Sequence, residues 1–422
     1  MHWKDTLPEW YIKKYGYQPC INIGTSGHVD HGKTTLIEAI TGVWTSAHSE
    51  ELRRGITIKV GYADAAFYKC SECPEPDCYS SRPQCTKCGK DSELSRVVSF
   101  VDSPGHESLM ANMLSGAALM DGAILVIAAN EQVPKPQTRE HMLALDVLGI
   151  KQIILVQNKV DLTEKDKALE NYEQIKSFVK NTIAENAPII PVSAQHSLNI
   201  DALIGLLESH IKTPERNTNT SPIMHVLRSF DINKPGIPIK SIKGGALGGA
   251  LTQGEFNVGD EIEIRPGLFN NKKLKYESIR SKISSLGTGA GIVENVKPGG
   301  LVSIGTLLDP TFVKSDSLIG SVVGTPGTLP DNVYEISVEV HLFDNAVGTQ
   351  GLVKVDPIRK NENLRITLGT ALTTGLVTNT KNDRIEMKLK KPVCITTNSR
   401  VALNRKIGDR WRLIGAGIAE SN

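Results

Sequence analysis

The chain has 422 residues, too many for one ordinary hydrophobic core, so two or three domains are expected. Its composition, 40% hydrophobic and 22% charged, is that of a soluble globular protein. The net charge of 48 − 46 = +2 excludes a bulk polycation, although residues 379–422 carry ten Lys or Arg against four Asp or Glu, a local excess that favours a polyanion.

Residues 1–19 carry Trp3, Trp10, Tyr11, Tyr15 and Tyr17 among charges, without the apolar core of a signal peptide. No stretch is apolar for long enough to span a membrane, so a cytoplasmic protein that makes no use of a membrane is expected. The apolar strand Ile21-Asn22-Ile23-Gly24 then leads into Gly27-His28-Val29-Asp30-His31-Gly32-Lys33-Thr34-Thr35, and a helical run follows to Gly42. This is the pattern of a phosphate-binding loop. Its backbone N–H groups, over Asp30, His31, Gly32, Lys33, Thr34 and Thr35, turn inward on a phosphate chain; Lys33 reaches the outer phosphates, and the Thr34 hydroxyl is placed to ligate Mg²⁺.

Further apolar runs at Val97–Val101, Ala123–Ile127, Ile153–Val156 and Ile189–Val192 alternate with amphipathic stretches such as Thr138–Leu148 and Ala168–Ala184. Continuous apolar strands separated by helices predict a mostly parallel sheet covered on both faces, with ligands at the carboxyl ends of its strands. The strand ending at Val101 delivers Asp102-Ser103-Pro104-Gly105-His106. Asp102 is the second acidic group expected beside Mg²⁺, and Gly105 admits its own N–H to a γ-phosphate. In the loop Glu50 to Ile58, Thr57 is the expected switch threonine, with Gly55 beside it in the metal's surroundings. Thr45 and Ser46 are rivals for that role.

The strand ending at Gln157 delivers Asn158-Lys159-Val160-Asp161. A carboxylate at Asp161 accepts from the N1–H and exocyclic amine of guanine, donors that adenine lacks at those places, so the nucleotide is GTP or GDP rather than ATP. Lys159 lies over the base, and Ser193-Ala194-Gln195 supports it. Between the switch loop and the second strand, Cys70-x-x-Cys73 and Cys85-x-x-Cys88 stand eleven residues apart, a spacing that gathers four thiolates around a structural Zn²⁺. Cys78 is a fifth claimant at a less suitable spacing.

Beyond Thr213, a polar, proline-bounded segment precedes strands such as Glu261–Ile264, Ile336–Val340 and Ile385–Leu389 between Gly, Pro and Asn turns, which read as antiparallel β-barrels. The expected organisation is an extension over 1–19, an α/β nucleotide domain over 20–213 with a zinc knuckle at about 68–92, a linker over 214–222, and barrels over 223–328 and 329–422.

Taken together these motifs resemble the translational GTPases of the elongation factor Tu group. Within it, the zinc insertion, Trp44 to Gly55, Lys243 to Gly249 and Val355-Asp356-Pro357-Ile358-Arg359 look like the gamma-subunit family of translation initiation factor 2, in its archaeal form. The resemblance covers essentially everything after Pro19. It implies a GTPase in a heterotrimer with alpha and beta subunits, carrying methionylated initiator tRNA to the small ribosomal subunit and released after hydrolysis. It also implies that His106 positions the attacking water and that Asp30 makes an additional metal contact. Ser103 departs from the family's usual alanine. Three other readings stay open at this level: a tRNA-carrying elongation factor, including the selenocysteine-specific one; the GTPase subunit of a sulfate adenylyltransferase; and a nucleotide-holding scaffold without a switch.

Overall fold

A computed structural model describes residues 3–421, except 46–56, 58–59, 106–109, 235, 347–352 and 396–398. The chain falls into two compact units, one built mainly on Pro19–Pro214 and the other mainly on Glu215–Ala346 and the strands that follow. Among the described residues no helix is long and apolar enough to cross a membrane.

The first unit is a seven-stranded sheet: β1 (Ile21–Ser26), β2 (Gly61–Lys69), β3 (Tyr79–Ser80), β4 (Glu93–Asp102), β5 (Gly122–Ala128), β6 (Ile153–Asn158) and β7 (Ile189–Pro191). They lie in the order β3-β2-β4-β1-β5-β6-β7. β4, β1, β5, β6 and β7 pair in parallel. Every residue of β1, β5 and β6 is buried, as strands covered on both faces require; β5 is apolar throughout, whereas β1 also buries Asn22, Thr25 and Ser26, and β6 ends in the buried Gln157 and Asn158. β2 and β3 form an antiparallel edge.

Among the described residues the α-helices are, in chain order, α1 (Glu9–Tyr15), α2 (Lys33–Thr41), α3 (Met110–Ala117), α4 (Pro136–Leu148), α5 (Lys165–Val179) and α6 (Ile200–His210). α2 ends at Gly42, whose left-handed φ of 75° lets its N–H return to Glu38 O. α4 opens on Pro136, whose fixed φ suits a first helical turn, and closes on Gly149.

The second unit holds two closed six-stranded antiparallel barrels. In the first, Glu261–Asn270, Val322–Gly324, Ile223–Phe230, Ala246–Gln253, Leu301–Thr306 and Lys275–Thr288 pair in that order, and the last returns to the first. In the second the ring runs Asn332–Leu342, Arg384–Cys394, Ala371–Lys381, Asn363–Leu368, Ser399–Ile407 and Arg410–Ser421. Alternation places Ile385, Met387 and Leu389 in the core and leaves Glu386, Lys388 and Lys390 outside. Part of the segment expected to be a linker is fastened to the first barrel, because Gly254 N–H donates to Asn217 O and Gln253 Nε2 to Ser221 O.

Candidate functional site

The phosphate loop leaves β1 through two positions that only glycine fits. A Cβ on Gly27, at φ 134°, would lie 2.3 Å from Val126 O; one on Gly32, at φ 85°, would lie 2.4 Å from Asn158 Nδ2. Asp30 also takes a left-handed φ, 65°, and is exposed. Lys33 opens α2, is buried, and donates from Nζ to Gly27 O at 3.1 Å and His28 O at 2.6 Å. Thr35, Ala194 and Gln195 contribute to the lining of an open groove of about 710 Å³ that also takes in Gly42, Tyr79 and Asp201.

Burial takes Lys33 down from 10.5 to about 8, against the opposing pull of Asp102 and Asp30. Between those two values the unfolded chain holds more protons than the folded one, so ligand-free stability rises with pH across that window. Phosphates seated beside Lys33, as the loop motif predicts, would restore its proton. Binding of GDP at pH 8–9 is therefore expected to take up protons, seen as a dependence of the calorimetric enthalpy on the buffer's ionisation heat. No such dependence would contradict the placement of Lys33.

Asp102, at the end of β4, is fully buried. Thr25 Oγ1 donates to its Oδ1 at 3.0 Å, and Thr34 Oγ1 and Thr45 Oγ1 donate to its Oδ2 at 2.7 and 2.6 Å. Thr57 Oγ1 is 3.1 Å from Thr34 Oγ1. The structure thus brings Thr34, Thr57 and Asp102 together, and brings Thr45, the rival threonine, to the same carboxylate. A set of hydroxyl and carboxylate oxygens suits a hard cation such as Mg²⁺. Gly105 closes over the loop, where a Cβ would stand 2.5 Å from Lys33 Nζ and 2.8 Å from Val29 N. Ser103 is fully buried and its hydroxyl has no partner among the described residues. His106, Gly55 and Ser46 lie outside the described residues.

On the base side, Asn158 ties two loops together. Its Nδ2 donates to His31 O at 2.9 Å, and its Oδ1 accepts from Ala194 N–H at 3.0 Å. Ser193 and Leu198 exchange backbone hydrogen bonds, which fold the loop that presents Ala194 and Gln195. Lys159 takes a left-handed φ of 63°, and Asp161 lies 3.7 Å from His196 Nε2. The His31 ring is not part of the loop's inner surface: it is buried, with Nδ1 2.9 Å from Val126 O and Nε2 3.7 Å from Glu131. Burial holds it down at about 4, so it is neutral at pH 7. One residue was not read from the sequence at all. His141 of α4 reaches Gly27 N–H at 2.9 Å, and no motif or spacing singles it out.

Between β2 and β4 the four thiols of Cys70, Cys73, Cys85 and Cys88 lie within 4.8 Å of one another. Cys70 and Cys88 Sγ are 3.6 Å apart, as are Cys73 and Cys85. Tetrahedral Zn–S bonds of about 2.3 Å demand sulfur–sulfur separations of about 3.8 Å, so this donor set fits Zn²⁺ with no ligand position left open. Backbone N–H groups of Cys88 and Lys87 draw the Cys85 thiol down to about 6, while its neighbours Cys88 and Cys85 push the Cys73 thiol up to about 12, the pattern of sulfurs that share protons. Cys78 is outside the set; its carbonyl accepts from Cys70 N–H. The knuckle is seated on α6. The Tyr79 ring fills the space above Gly205, where a Cβ would come within 2.6 Å, and Lys87 pairs with Asp77 at 2.9 Å and lies 4.0 Å from Asp201.

Comparison with known proteins gives the family. Residues 18–213 match the family model for the elongation factor Tu GTP binding domain, and residues 334–419 match that for initiation factor eIF2 gamma, C terminal. Among solved structures, a bacterial selenocysteine-specific elongation factor, EF-Sec, superposes with a TM-score of 0.72 over 94% of this chain and 58% of that one. At 22% identity that likeness is one of fold. Translation initiation factor 2 subunit gamma of Pyrococcus furiosus is 56% identical over 408 residues, 96% of this chain and 98% of that protein. The Archaeoglobus fulgidus protein of the same name is 54% identical over 95% of this chain and 94% of its own length. Identity of more than half, sustained across nearly the whole of both chains and both barrels, shows that this chain belongs to the translation initiation factor 2 gamma-subunit family of translational GTPases.

Proposed function

We propose that this protein is a cytoplasmic, GTP-timed carrier that joins alpha and beta subunits in a heterotrimer and brings methionylated initiator tRNA to the small ribosomal subunit. GTP hydrolysis itself follows from family membership. The observation that carries the finer reading is the identity of 54–56% over almost the full length of relatives named as initiation factor gamma subunits. The elongation-factor alternative has 22% identity and a shared fold.

In this reading the nucleotide domain spans 20–213 and the barrels 223–328 and 329–422. Loop residues Asp30 to Thr35 cradle the phosphates, while Asn158, Lys159, Asp161 and Ser193 to Gln195 hold guanine. Thr34, Thr57 and Asp102 would hold Mg²⁺, with Asp30 and Gly55 nearby, which when bound would supply positive charge against the outer phosphates. Gly105 senses the γ-phosphate, His106 orients the attacking water, and Cys70, Cys73, Cys85 and Cys88 hold a structural Zn²⁺. In this reading the γ-phosphate holds the segments that carry Thr57 and Gly105, so that its loss frees both and cargo affinity falls.

The test is a titration of methionylated initiator tRNA and of an elongator aminoacyl-tRNA, each with GDP and with a non-hydrolysable GTP analogue, in the presence of the partner subunits. Initiator tRNA is expected to bind best with the analogue. Preference for the elongator, or equal affinity in both nucleotide states, would overturn the proposal.

A further inference from the structure

His141 sits on α4, outside every motif of the nucleotide site, and is 1% exposed. Its Nδ1 lies 2.9 Å from the backbone nitrogen of Gly27 and 3.2 Å from Ser26 Oγ. A backbone N–H only donates, so Nδ1 is the acceptor and the ring proton resides on Nε2. That assignment requires a neutral imidazole. Burial supplies it, taking the ring to about 3, and Lys33, His28 and His31 push in the same direction.

Gly27 needs this outside partner because of where it stands. Ser26, paired with Leu125, is the last residue of β1 in the parallel ladder, and at Gly27 a φ of 134° turns the chain out of the sheet. The N–H at that corner is buried and has left the ladder. An unsatisfied donor there would carry its full desolvation cost. The next peptide along contributes Gly27 O, which holds Lys33 Nζ at 3.1 Å. The direction of the corner therefore sets the direction of the lysine.

We propose that His141 is a positioning residue for the phosphate loop: through Nδ1 it fixes the Ser26–Gly27 peptide, and with it the carbonyls that aim Lys33 at the phosphate chain. It does not touch the nucleotide. The inference rests on the nucleotide-site reading above, and deepens it by adding a residue that no loop motif contains.

The test measures GDP affinity by calorimetry for the full-length protein and for His141→Leu and His141→Asn. Leucine fills the space but accepts nothing; the Oδ1 of asparagine accepts where Nδ1 did. The leucine variant is expected to lose about 10- to 100-fold in GDP affinity, the equivalent of an unmet buried donor, and the asparagine variant to stay within about threefold of wild type. Equal losses in both variants would make His141 a packing residue only and overturn the proposal, as would a folded leucine variant that binds GDP like wild type. If the leucine variant does not fold, asparagine alone decides: affinity within about threefold supports the proposal, and a loss beyond tenfold overturns it. Wild-type protein in the same titration separates the two readings. Failure of wild type to bind GDP defeats the nucleotide site, whereas normal wild-type binding with an unaffected leucine variant defeats only the role of His141.

Discussion

Asp161→Asn is expected to exchange the preferred base from guanine to xanthine. In the proposed base site the carboxylate would accept from two guanine donors, N1–H and the exocyclic amine. A carboxamide sets its own N–H against that amine, donor against donor, whereas xanthine carries a carbonyl there and accepts it. A site built to hydrogen-bond its ligand rejects a mismatched one by as much as about 10⁴-fold, so GDP affinity should fall about 10²- to 10⁴-fold while XDP gains. Asn158 holds the neighbouring loops through His31 O and Ala194 N, and is left untouched by the change. Competition of GDP and XDP for the variant decides the matter. An unchanged preference for GDP would remove Asp161 from the base site, and equal loss of both nucleotides would point to damaged folding.

The second large effect is expected from taking away the Zn²⁺ proposed for the four cysteines of the knuckle. Four thiols already spaced at 3.6 Å in pairs have little reason to stay together once deprotonated and unligated, because like charges repel. Structural zinc binding carries about 10–16 kcal/mol of apparent free energy, which in small metal sites is largely folding free energy. Cys70→Ser and Cys85→Ser should each lose the bound zinc and lower the melting temperature by several degrees, and a strong chelator should do the same to wild type. The damage reaches beyond the knuckle, since Tyr79 and Lys87 seat it on α6, and α6 starts just after Ser193–Gln195. Faster GDP release from the metal-free protein is the accompanying expectation. Unchanged zinc content in both serine variants would show that these cysteines are not the ligands.

What could be read from sequence follows from where each element is buried. β5 and Ile153–Val156 of β6 are covered on both faces and are written as apolar runs, while β1, which also buries Asn22, Thr25 and Ser26, was legible mainly through the loop motif at its end. β2 was not, because Gly61-Tyr62-Ala63-Asp64-Ala65-Ala66-Phe67-Tyr68-Lys69 is rich in alanine and has a carboxylate in its middle; its strand conformation comes from pairing with β4 rather than from local preference. The barrels were recognisable as barrels from alternation, but ring order depends on partners far apart in the chain, such as Ile223 with Gly324 in the first barrel and Ile336 with Ser421 in the second, and alternation is blind to that. Within the site, Lys33, Asp102, Asn158 and the cysteine pairs announce themselves by spacing. Thr45 has a hydroxyl on Asp102 without a motif to mark it, and His141 is one histidine on the buried side of a helix.

The antiparallel pairing of β2 with β4 has a metric consequence. It starts at Gly61 opposite Asp102 and ends at Lys69 opposite Glu93, so the oxygen cluster at Asp102 and the sulfur cluster beginning at Cys70 cap the two ends of one ribbon. Nine residues of β2 make that ribbon about 30 Å long. β4 spends one residue more over the same length, and Ser95, skipped between Phe67↔Arg96 and Tyr68↔Leu94, is where the surplus goes. The ribbon is thus a ruler whose phase is set at a single position. Excising two opposed pairs would shorten it by about 7 Å and leave both ends facing as they do now, whereas excising one residue from β2 alone would turn the knuckle end to the opposite face of the sheet.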